Sequence, residues 1–190
     1  MVQTAIRDYI DGNQSYGREL IFVAILAFMM FVGINLGSGV LLSGYHFVDD
    51  HEVLNIAKYA SRHTFLDTLH WYAIQDFSIR FRPLYNLEIV AQTYLLGVNM
   101  NHWIMLVTFE GIISFLLFYH FARQITDTTC LAFLFSVIIH FGTQYTLWYR
   151  ALNQENLAMI LLGISLCLLT RKGLNLGIVT FFIVLSSLQK

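Results

Sequence analysis

Residues 20–42 form a run of 23 uncharged, mostly apolar positions. A helix crossing a bilayer needs about 20 such residues, so the run predicts a membrane span. Asn35 and Gly37-Ser38-Gly39 mark its far end as a place of close packing or fraying. The pattern then breaks. Residues 43–82 carry nine charged side chains: Asp49, Asp50, Glu52, Lys58, Arg62, Asp67, Asp76, Arg80 and Arg82. Such a stretch cannot sit in hydrocarbon. Val53, Leu54, Ala57 and Ala60 still recur at helical spacing, which predicts a partly helical loop on the membrane surface. Pro83, the chain's one proline, ends this loop. Leu87, Val90, Ala91, Tyr94, Leu95 and Val98 then follow a 3.6-residue period with Asn86, Glu88 and Gln92 between them. That period predicts a short interfacial helix over residues 84–97.

Four further spans are expected, over residues 102–122, 129–149, 156–170 and 174–188. The resulting fold class is all-α: a polytopic membrane bundle of about five transmembrane helices. The short loops decide its orientation, because cytoplasmic loops carry more Lys and Arg. Arg123 follows the second span, and Arg171 and Lys172 follow the fourth. Both loops are therefore assigned to the cytoplasm, together with residues 1–19, which hold Arg7 and Arg18. Residues 43–101 become the first extracytoplasmic loop of a single transmembrane domain, 20–190. A cleavable signal does not fit, because the first apolar run exceeds the 7–15 residues of a signal core.

Composition agrees with a membrane setting. Charged residues are 12% of the chain and hydrophobic residues 57%; soluble domains carry roughly 25% charged residues. The 16 Phe, 10 Tyr and 3 Trp suit lipid-facing and interfacial positions. A net charge of -1 gives no electrostatic footprint for nucleic acid. Cys130 and Cys167 lie in apolar runs and read as small buried hydrophobes. P-loop, Rossmann, HExxH and CxxC patterns are absent, and neither a metal nor a cofactor is expected.

Three groups of residues offer chemistry. Asp49-Asp50-His51-Glu52 lies just beyond the first span. Adjacent carboxylates raise one another's pKa and can serve as a base. The alternative is a solvated loop start, with Asp49 or Asp50 capping a helix from about Glu52 to Ser61. Arg80-Phe81-Arg82 could grip an anionic headgroup or phosphate, or simply anchor the chain at the interface. Glu110 within a span is a functional candidate by default, or a packing residue paired with His140 or a polar group of another span. His140 and Gln144 are expected to pack between helices. Glu155 sits at the outer mouth, on the same side as Asp49, where helix capping also accounts for it.

The order of these features resembles the N-terminal half of a GT-C-type membrane glycosyltransferase, in the branch that includes the protein O-mannosyltransferases. The resemblance is carried by Gly44 to Glu52 after the first span, Arg80-Phe81-Arg82-Pro83-Leu84-Tyr85, Leu95-Leu96-Gly97, His102-Trp103, Phe121-Ala122-Arg123, and Leu185 to Lys190. It implies transfer of a sugar from a polyprenyl-phosphate-linked donor to a glycan, lipid or protein acceptor hydroxyl at the extracytoplasmic face of a bacterial inner or plasma membrane. It assigns the general base to Asp49 or Asp50. It gives substrate-binding roles to His51, Glu52, Arg80, Arg82 and Glu155, with an arginine neutralising the donor phosphate. The family has many more spans, so the chain reads as truncated at its C-terminus. The rival expectation is a non-catalytic membrane protein that binds a lipid-linked intermediate or scaffolds an envelope assembly.

Overall fold

The structure is a computed structural model that describes residues 2–40, 51–77, 82–142, 155–170 and 176–188. The described residues form eight helices and no strand: α1 (Val2–Gly37), α2 (His51–Ala60), α3 (Phe65–Phe77), α4 (Pro83–Leu96), α5 (Met100–Thr126), α6 (Thr129–Phe141), α7 (Glu155–Leu169) and α8 (Leu176–Ser187). The all-α expectation holds. Two helical stretches, Ser15–Gly37 and Met100–Thr126, are long and apolar enough to cross a membrane. Within the described residues α6, α7 and α8 are shorter, at 13, 15 and 12 residues.

Local signals explain several boundaries. Pro83 occupies the first position of α4, where its missing N–H leaves no bond unmade. Thr64 and Asp67 close a capping box on α3: the Thr64 N–H donates to Asp67 Oδ2 at 3.3 Å, and the Asp67 N–H donates to Thr64 Oγ1 at 3.3 Å. This box divides the polar loop into two helices, a break that the apolar spacing did not predict. Asn99 caps α5 by accepting from the Asn101 N–H at 3.1 Å. Gly97 ends α4 at φ 64, ψ -149, a backbone region open essentially to glycine alone.

Packing separates the chain into a small lobe and a bundle. In the lobe, α2, α3 and α4 pack together over Val53, Ile56, Tyr72, Tyr85, Ile89 and Val90. The same cluster continues onto Met100, Trp103 and Ile104 of α5 and onto Val40 beyond α1. In the bundle, Val23, Ala27 and Phe31 of α1 meet Phe115, Tyr119 and Ala122 of α5 and Ala132 of α6. Helices α1 and α5 run antiparallel. Glu19 pairs with Arg123 at 2.9 Å at one end, and Asn35 Nδ2 donates to Thr108 Oγ1 at 2.8 Å toward the other. At 1.5 Å per residue, Glu19 and Asn35 lie about 24 Å apart along α1. Between these two clasps the outward faces are apolar, with Phe22, Ile25, Phe28, Met29 and Phe109 exposed. Two glycines permit close helix contacts. A Cβ on Gly111 would lie 2.5 Å from Phe31 Cε1, and one on Gly163 would lie 2.9 Å from Leu117 Cβ.

Candidate functional site

The first turn of α2 carries Glu52 into the interior of the lobe. Its carboxylate accepts from the Tyr72 hydroxyl of α3 at 2.9 Å. Burial, then the nearby Tyr85 and Glu52, pushes the Tyr72 phenol far above its ordinary pKa. Tyr85 is raised as well, by burial and then by the charge on Glu52. Both phenols therefore remain protonated at physiological pH. Arg82, at the start of α4, completes the cluster. Its Nη2 lies 2.5 Å from Asp76 Oδ1, with both side chains only 9% exposed. Its guanidinium carbon sits 4.5 Å above the centre of the Tyr85 ring, a cation–π arrangement. Burial lowers the Arg82 pKa, but the Asp76 contact outweighs this and holds it above its usual value. Three helices thus place an acceptor, two hydroxyl-bearing rings and a permanent cation in one group.

Asp49, Asp50 and Arg80 lie outside the described residues. His51 opens α2, and Glu52 and Arg82 belong to the cluster just described. Asp76, Tyr72 and Tyr85 were not singled out from the sequence. Asp76 was visible only as one charge among nine, and nothing local linked it to an arginine across the break before Pro83.

A second polar group joins the lobe to the bundle. Gln92 of α4 donates from Nε2 to Glu88 at 2.9 Å and to Glu110 of α5 at 3.4 Å. Asn156 of α7 donates from Nδ2 to the other Glu110 oxygen at 3.3 Å. Asn156 is 1% exposed, and its Oδ1 has no hydrogen-bond partner among the described residues. Glu155 occupies the position before Asn156, in the first turn of α7. Glu110 therefore meets a polar group of another apolar helix, one of the two pairings anticipated for it. The alternative partner, His140, bonds instead with Ser114 at 2.9 Å and is fully buried between α5 and α6. That is the interhelical packing role expected of it; Gln144 lies outside the described residues. Among the described residues no three His, Cys, Asp or Glu side chains gather in a way that could hold a metal ion.

No family model, curated protein or solved structure matches the chain.

Proposed function

We propose that the chain is the N-terminal part of a GT-C-type, multi-pass membrane glycosyltransferase with about five spans. It transfers a sugar from a polyprenyl-phosphate-linked donor to an acceptor hydroxyl at the extracytoplasmic face. The observation that carries this reading is the Glu52–Tyr72–Tyr85–Arg82 cluster in a lobe at one end of two antiparallel apolar helices. A donor phosphate cannot leave the headgroup zone, so a transferase acting on it needs its polar groups at such an end. Asp49 and Asp50, three and two residues before Glu52 in sequence, are assigned the general base. Arg82, His51, Glu52, Arg80 and Glu155 are assigned to substrate binding.

Orientation supports the reading. Arg18 and Arg123 fall at the end of the antiparallel pair remote from the lobe, as cytoplasmic cations would. Exposed apolar side chains along α1, α5 and α8 suit a lipid surround. One observation favours the scaffolding form of the rival, a non-catalytic membrane protein of an envelope assembly: Arg82 pairs with Asp76 rather than facing a ligand unopposed.

The test uses the longest natural form of the protein in liposomes. Asp49→Asn, Asp50→Asn and the double variant are assayed for transfer of a radiolabelled sugar from a polyprenyl phosphate donor. At least one variant is expected to lose transfer while still retaining the donor lipid. Full transfer by the double variant would remove the base assignment. Donor retention with no transfer by the unaltered protein would favour the lipid-binding form of the rival.

A further inference from the structure

Beside the apolar contact between α2 and α3 runs a polar groove, with Asn55, Lys58, Arg62 and His63 exposed along it. Asn55, Lys58 and Tyr59 lie along α2 at i, i+3 and i+4, so they share one stripe, and Arg62 follows in the turn after the helix. These residues border an open cavity of about 410 Å³, lined on the α3 side by Trp71 and Gln75. Lys58 and Arg62 both line this cavity, and neither forms an ion pair among the described residues. Asn55 and the Trp71 indole N–H likewise bond to no described residue. Among the described carboxylates of α2 and α3, Asp76 pairs with Arg82, while Asp67 and Glu52 accept from the Thr64 and Tyr72 hydroxyls. The lining thus gathers polar donors and two positive charges, with no carboxylate among the lining residues.

Its wall is rigid. Tyr59 stacks on His63 with ring centres 3.9 Å apart and planes 9° apart. It also stacks on Trp71 at 4.3 Å and 4°. The second stack crosses from α2 to α3. His63 is held further by its Nδ1 contact with the Tyr59 carbonyl at 2.9 Å. A preformed wall reduces the ordering cost of binding.

We propose that this cavity is a phosphate-binding site, separate from the proposed transfer reaction. A phosphate carries up to two negative charges and several strong acceptor oxygens. That matches two neighbouring cations together with neutral donors. Cavities of roughly 300–1,000 Å³ hold small molecules, so a phosphate and the ring or headgroup attached to it both fit. The phosphate can arrive on a free sugar phosphate or on a membrane lipid.

The unaltered chain and Lys58→Gln/Arg62→Gln are compared in nanodiscs of zwitterionic lipid, with circular dichroism checking that helix content is equal. Calorimetric titration uses glucose 6-phosphate, glucose and inorganic phosphate. Native mass spectrometry reads retention of phosphatidylglycerol added to the discs. Each charge-assisted contact is worth about tenfold or more in affinity. The double variant is therefore expected to weaken glucose 6-phosphate binding or phosphatidylglycerol retention at least about tenfold, and glucose to bind at least about tenfold more weakly than its phosphate. Binding of glucose 6-phosphate unaffected by phosphatidylglycerol identifies a free ligand; retention of the lipid alone identifies a headgroup. Equal binding by the double variant, equal binding of glucose, or no phosphate ligand bound from either source overturns the proposal.

Discussion

Replacing Gly111 with alanine tests whether the α1–α5 contact sets the geometry of the bundle. The added methyl would stand 2.5, 2.8 and 2.9 Å from three carbons of the Phe31 ring. Carbon atoms are at their best separation at about 3.5–4.0 Å, so ring or helix must give way by about 1 Å. The ring has little freedom. Phe31 is 0% exposed, with the Phe141 ring centre at 4.9 Å and the His140 ring centre at 6.3 Å. The strain therefore passes to the backbones, and overpacking of this kind costs about 1–3 kcal/mol. Unfolding of Gly111→Ala by sodium dodecyl sulfate in mixed micelles should show that loss. Phe31→Leu alone should also destabilise, by opening a cavity. The decisive measurement is the double variant. Removing the ring makes room for the methyl, so its loss should fall short of the summed single losses by about 0.5 kcal/mol or more. Full additivity, or a Gly111→Ala protein as stable as the original, would refute the close approach of α1 and α5.

Two smaller predictions concern boundaries in the lobe. Gly97→Ala puts a side chain on backbone at φ 64, ψ -149 and should cost about 1–3 kcal/mol. Because the Gly97 carbonyl accepts from Trp103 Nε1 at 2.9 Å, a shift in Trp103 fluorescence should accompany the loss. In the α3 capping box, the hydroxyl and then the backbone N–H of Thr64 hold the Asp67 pKa below its usual value. The stabilisation is therefore fully present above the ordinary carboxylate pKa of about 3.9 and is lost as pH falls through the lower folded value. Following the Thr64 amide shift by NMR should show this midpoint, and Thr64→Ala should move the Asp67 midpoint upward.

Helices were easier to read from the chain than their partners, and particular residues show why. Pro83 and the period after it predict a helix over 84–97, and the helix found is Pro83–Leu96. Helix α2 was expected from about Glu52 to Ser61 and spans His51–Ala60. These elements depend on neighbours in sequence. The stop between α2 and α3 was equally local, in Thr64 and Asp67, but the run of charges around it read as one irregular loop. Pairings across helices were hidden for another reason. Asp76 with Arg82 and Glu110 with Asn156 are brought together by packing that no local period encodes. The Asn55–Lys58–Tyr59 stripe was present in the sequence, yet its meaning depended on Trp71 lying opposite it.

Glu110 is where that tertiary information concentrates. Its carboxylate receives Gln92 from the lobe and Asn156 from α7, while α5 carries it. Three elements are therefore tied at one side chain, and its replacement should be read through the donors left behind. In Glu110→Leu, Gln92 keeps Glu88 as acceptor, whereas, among the described residues, Asn156 loses its one Nδ2 acceptor while its Oδ1 is already unpartnered. Leaving such a buried amide unsatisfied costs about 1–3 kcal/mol. Glu110→Gln behaves differently: it keeps one acceptor oxygen for Asn156 Nδ2 while Gln92 keeps Glu88, so its loss should be smaller. Glu110→Leu/Asn156→Leu removes both polar partners and should recover most of the loss seen in Glu110→Leu. If Glu110→Leu and Glu110→Gln unfold at the same detergent concentration, the carboxylate does not join the lobe to the bundle.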